Sequence, residues 1–150
     1  MKIRLIPILL CASLLASCSN TSNAPLRLNG TWQLLSGTTI TKGVATKTDY
    51  TLHQRMIKIM NDTHFAFLAH DVGTAKDSAN HFYAGGGTYT LKGDQYTEHL
   101  NYYSDPKWEG KTFIFTVSLQ NDTLTQRGTE KVEKEGIERE IIEKYIRTTE

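Results

Sequence analysis

The sequence predicts an all-β fold, an antiparallel up-and-down barrel of about eight strands, on three observations. First, the two-residue polar links Asn61-Asp62, Gly93-Asp94 and Asn121-Asp122 each join runs rich in β-branched and aromatic residues. Such links suit tight hairpins, because Gly, Asn and Asp tolerate the positive φ that strand-matching turns need. Second, Phe113, Phe115, Val117 and Leu119 alternate with Thr112, Ile114, Thr116 and Ser118, the period of a strand with one face inward. Third, strand starts at Thr31, Tyr50, Thr63, Tyr83, Gln95, Thr112, Thr123 and Arg139 reach the number at which a closed barrel is filled by side chains or holds one small ligand. Closure also removes the two exposed edges of a meander.

The chain begins with a short basic segment, Met1 to Arg4, followed by an apolar run from Leu5 to Leu15. This is the pattern of a secretion signal, and the run is too short to serve as a permanent membrane span. Leu15-Ala16-Ser17-Cys18 resembles the bacterial lipobox. The resemblance implies that residues 1–17 are a lipoprotein signal peptide, removed before Cys18, and that Cys18 carries lipid at the new N-terminus. The partner it implies is a membrane, and the location a bacterial cell envelope. Ser19, a non-acidic residue after the Cys, is similar to the pattern of Gram-negative lipoproteins held at the outer membrane.

Cys11 lies in the discarded run, so the mature chain has no pair of cysteines left for a disulfide. Removing Lys2 and Arg4 takes the 17 basic residues to 15 against 16 acidic ones, a balance that does not favour nucleic acid. Residues 18–27 are polar and contain Pro25, and read as a flexible tether. The folded domain is expected over residues 28–150.

Asn29-Gly30 leads into a first strand through Ser36, with Trp32 as a core plug at one end of the sheet. Gly37 to Thr48, rich in Thr and Gly, reads as a long loop with some strand character. Tyr50 to Met60 pairs with Thr63 to His70. In the simplest register Met56, Lys58, Phe65 and Phe67 share one face, and Arg55, Ile57, Ile59, Ala66 and Leu68 the other. In the next hairpin Lys92 is expected opposite Gln95, Leu91 opposite Tyr96, Tyr89 opposite Glu98 and Thr88 opposite His99. Its inner face then carries Tyr89, Leu91, Tyr96, Glu98, Leu100 and Tyr102. Asp71 to Asn80 and Ser104 to Lys111 are the long loops at the rims. Trp108 in the second of these either caps an opening or folds back on a sheet edge, and the edge is the expected place.

Residues 139–147 lean to helix by local propensity, while alternation of Ile142, Lys144 and Ile146 against Ile141, Glu143, Tyr145 and Arg147 fits a closing strand. The need to cover the sheet edges selects the strand, with Glu135-Gly136 in the turn before it. Gly30-Thr31-Trp32 at the start of such a meander, with Arg147 near its end, resembles the lipocalins, in which a Gly-x-Trp packs against an Arg from the end of the barrel. The stretches Leu28 to Ser36 and Gly85 to Tyr103 resemble a group of bacterial lipocalin-like lipoproteins of unassigned function. That resemblance implies a calycin-type barrel able to hold a small molecule.

The candidate site follows from the inner face. Glu98 with Tyr89 and Tyr102 sets a carboxylate and two phenols among apolar neighbours, groups able to orient a small apolar or amphipathic ligand. His53 and His70, opposite each other in the simplest register, would supply two zinc ligands without a third, so no metal is assigned. No nucleophile elbow is present. Gly85-Gly86-Gly87 is followed by no Lys-Ser/Thr and enters a strand, so it reads as strand bending and not as a phosphate loop. No catalytic residue and no cofactor are therefore assigned. The expected function is a lipid-anchored binding barrel. The alternatives are an interaction subunit of an envelope assembly and, further off, a hydrolase or isomerase built on Glu98.

Overall fold

A computed structural model describes residues 26–72 and 81–148 of the chain. The expected signal peptide, the expected lipidation site Cys18, the expected tether up to residue 25 and most of the expected rim loop Asp71 to Asn80 lie outside the described residues. Among the described residues nine strands form one sheet: β1 (Gly30–Thr41), β2 (Val44–Asp49), β3 (Gln54–Met60), β4 (His64–Asp71), β5 (Phe82–Lys92), β6 (Gln95–Tyr103), β7 (Lys111–Gln120), β8 (Thr123–Val132) and β9 (Ile137–Arg147). All pairings are antiparallel, and β1 bonds to β9, so eight strands close an up-and-down barrel. The ninth, β2, pairs only with β1 among the described residues and is exposed along its whole length.

That arm replaces the loop expected over Gly37 to Thr48. β1 runs on to Thr41 and turns through Lys42 and Gly43, both at positive φ (51° and 80°), the two-residue geometry that matches strand twist. The Thr residues here are strand formers. With no face of β2 buried, there is no apolar alternation from which its strand could be read.

The β5–β6 hairpin has the expected register, with Tyr89 opposite Glu98 and Lys92 opposite Gln95, and β7–β8 pairs Gln120 with Thr123. The β3–β4 hairpin is slipped by two residues, since Met60 faces Phe65 and Arg55 faces His70. A slip of two conserves faces, so Lys58, Met60 and Phe65 are buried inside while Ile59 and Leu68 stay outside. It separates His53 from His70, and the two-histidine zinc arrangement does not form. Residues 137–147 are strand, preceded by a single 3-10 turn at Glu133–Glu135 and Gly136 in the left-handed region.

The ends of the barrel differ. The short turns after β3, β5 and β7 gather at one end, where Trp32 has no exposed surface. Its indole N–H donates to the Leu28 carbonyl at 2.7 Å, and the Arg147 guanidinium lies 4.1 Å from its ring centre. Arg147 also donates to the carbonyls of Asn29 and Arg27, tying the incoming chain to the last strand. Gly30 allows this closeness. It adopts φ 130°, and a Cβ there would stand 2.5 Å from Arg147 Nη1. Leu28, Leu34, Leu124 and Tyr145 complete a dry plug. At the opposite end lie the longer connections, and there the interior is open.

Candidate functional site

A cavity of about 230 Å3 occupies the open half of the barrel, and its lining is largely polar. Strand alternation places the groups. On β9, Arg139, Ile141, Glu143 and Tyr145 fall on successive inward positions. They meet Glu130 and Gln126 from β8, Lys58 from β3 and Glu98 from β6 across the interior.

Lys58 is the centre of the arrangement. It is 2 % exposed, its ammonium is ion-paired with Glu98, and it donates to Gln126 Oε1 at 3.0 Å. The rings of Phe65 and Tyr96 lie 5.3 Å from Nζ, so cation–π attraction adds to the pairing. A buried charge needs this kind of company, because removing it from water without partners costs several kcal/mol, on the order of the penalty for each desolvated ion.

Nearer the mouth, Arg139 Nε donates to Glu130 Oε2 at 2.7 Å, and its guanidinium lies 5.4 Å from the Trp108 ring centre. Trp108 also packs on the inward-facing Phe113 and Tyr103. It thus turns into the mouth of the barrel and does not fold back on a sheet edge. Burial pushes the Glu130 carboxyl up against the opposing pull of Arg139. Tyr50, Tyr83 and Tyr103 bring their rings to the same cavity. Burial raises all three phenols, Tyr83 to about 12, so they remain neutral hydrogen-bond donors at physiological pH.

Glu143 lies further in on this wall, next to Tyr145. Its Oε2 accepts from the Tyr145 hydroxyl at 2.7 Å, and no hydrogen bond reaches its other oxygen among the described residues. Part of its surface is accessible because it lines the cavity. Burial pushes its carboxyl up, Lys58 opposes that, and the charges of Glu130 and Glu98 reinforce it. Tyr96, 1 % exposed beside this network, has a hydroxyl with no partner among the described residues.

The expected trio of Glu98, Tyr89 and Tyr102 is therefore not one site. Glu98 lines the cavity. Tyr89 is inward but reaches the other way, donating to the Asn61 carbonyl at 2.6 Å in the turn beside the plug. Tyr102 is 71 % exposed on the outer wall. The cause is a β-bulge: Gly87 pairs with Leu100 and Gly86 with Tyr102, leaving Asn101 as an extra residue. A Cβ at Gly87 would collide with the His99 carbonyl, so the glycine run permits the bend. Beyond it the alternation is inverted, and Tyr103 takes the inward place against Phe67, with ring centres 5.5 Å apart.

Sequence reasoning placed Lys58 on the inner face but without Glu98 as its partner, and it passed over Tyr83, Tyr103, Glu130, Arg139 and Glu143. A readable signal existed for β9, where Arg139, Glu143 and Tyr145 share one parity with Arg147. Once Arg147 is taken as inward, the others follow.

No curated protein matches the chain. Residues 27–150 match the family described as Domain of unknown function (DUF4488), and the chain belongs to that family.

Proposed function

We propose that this protein is a lipid-anchored component of a bacterial envelope, held through Cys18 at the outer membrane, and that its lipocalin-like barrel binds a small amphipathic molecule. The observation that carries the binding reading is the polar cavity in the open half of the barrel. Its volume is below the roughly 300–1,000 Å3 of sites for drug-sized ligands, so the ligand is small. A purely apolar ligand would cover the Glu143 oxygen that takes no hydrogen bond among the described residues, at the cost of burying an unmatched polar group.

The anchoring rests on the lipobox-like Leu15 to Cys18. Its test is fractionation and intact mass of Cys18→Ala, which should yield soluble protein or an unprocessed precursor. Unchanged membrane association and processed mass would refute it. The binding reading is tested by native mass spectrometry of protein purified from its own host, with a retained small molecule expected. One observation favours a second reading, an interaction subunit: Phe82, Tyr102 and Leu68 are exposed on the outer wall. Retention of a protein partner with no small molecule would favour it.

A further inference from the structure

We infer that the cavity recognises a small organic monocation with an aromatic or apolar body, its charge set against Glu143 and its body among Tyr50, Tyr83 and Tyr103. This rests on the reading of the cavity as a binding site and adds the chemistry of what enters it.

Three things argue for a cation. The first is the charge balance of the lining. Lys58 is engaged by Glu98 and Arg139 by Glu130, which leaves Glu143 as a third carboxylate without a basic partner among the described residues. The second is direction. One Glu143 oxygen is held by Tyr145, and the other takes no hydrogen bond among the described residues while its side chain lines the cavity. A ligand N–H would complete it. The third is the aromatic wall. Tyr50, Tyr83 and Tyr103 come from three separate parts of the chain to one cavity, and π faces attract a desolvated cation. Burial raises the Glu143 carboxyl, and a cation bound beside it would favour its charged form.

An anion would meet the opposite situation. Both cationic side chains of the lining are already neutralised, and Glu143 would repel it. Size narrows the class further. A protein cavity of about 150 Å3 accommodates benzene, so about 230 Å3 accommodates one ring with a short charged arm.

The test uses three probes of one shape, benzylammonium, benzyl alcohol and benzoate, titrated calorimetrically into the purified protein at pH 7 and low salt. Benzylammonium should bind at least about tenfold more tightly than benzyl alcohol, the scale of one desolvated cation–π or ionic contact, and benzoate should be the weakest. In Glu143→Gln, with folding checked by circular dichroism, the preference for benzylammonium over benzyl alcohol should fall to near unity while benzyl alcohol affinity is retained. Equal or tighter binding of benzyl alcohol or benzoate by the wild type overturns the cation inference and leaves the cavity as a binding site. A folded Glu143→Gln variant that keeps its preference overturns the assignment to Glu143. Failure of all three probes to bind overturns the binding reading itself.

Discussion

The two halves of the barrel interior use the same strand alternation for opposite purposes. At the plugged end, inward positions carry Trp32, Leu34 and Leu124, each at most 1 % exposed, and the indole N–H of Trp32 and the guanidinium of Arg147 both have partners. Only a few residues along the same strands, inward positions carry Lys58, Glu98, Glu130, Arg139 and Glu143 around a cavity. A charged interior is a poor source of stability compared with an apolar one of similar volume. The plugged half is therefore the source of stability, and the open half holds the polar groups on which the proposed ligand binding rests.

The largest expected effect lies in the plug. Trp32→Ala removes a fully buried ring from between Leu28 and Arg147, and should lower stability by about 3–5 kcal/mol in chemical denaturation, as large-to-small core changes do. A midpoint like that of the wild type would remove the plug from the account.

Next comes the buried ion pair that marks the boundary between the halves. Glu98→Ala leaves the Lys58 ammonium buried without its carboxylate and should cost about 3 kcal/mol, whereas Lys58→Met combined with Glu98→Leu should come within about 1 kcal/mol of wild type or exceed it. A double variant as unstable as the sum of its singles would show that the pair is not coupled.

Glu143 gives a smaller effect with a definite pH signature. Its folded-state pKa lies above the ordinary value of 4.5, because of burial. Below that value both folded and unfolded chains hold the proton. As pH rises through it, the unfolded chain releases its proton first, so the group's contribution to stability falls until the raised folded-state pKa is passed. Glu143→Gln has no such loss. The melting temperature of the variant relative to wild type should therefore be higher at pH 8 than at pH 5, and a difference independent of pH would contradict the buried placement.

The smallest effect is expected outside. Tyr102→Ser on the outer wall should change stability by no more than about 0.5 kcal/mol and should leave probe binding unchanged. A clear loss of either would return Tyr102 to the interior.

What was legible in the sequence follows the same division. The plug was readable because Gly30, Trp32 and Arg147 each have a demanding shape or charge, and two of the three hairpins at that end, β5–β6 and β7–β8, have two-residue turns that leave little freedom of register; the longer β3–β4 link slipped by two residues without changing faces. The open half was harder to read for three physical reasons. A bulge at Gly87 and Leu100 inverts the alternation, so Tyr102 and Tyr103 exchange faces. The fully exposed β2 carries no apolar period at all. In β9 both faces carry apolar residues, since Ile142 and Ile146 point outward while Ile141 and Tyr145 point inward, and this hid the acids and the arginine of the cavity wall. Glu98 was found because a single carboxylate interrupts an apolar face. Its partner Lys58 lies 40 positions away, a separation that only the closed barrel bridges.

The claim that ligand chemistry belongs to the open half is tested most directly by mapping backbone amide shifts by NMR during titration with benzylammonium. The shifts should concentrate at Lys58, Tyr83, Glu98, Tyr103 and Glu143 and leave the amides of Trp32 and Leu124 in place. Perturbations centred instead on the outer wall at Ala66, Gly86 and Tyr102, or on the plug, would contradict it.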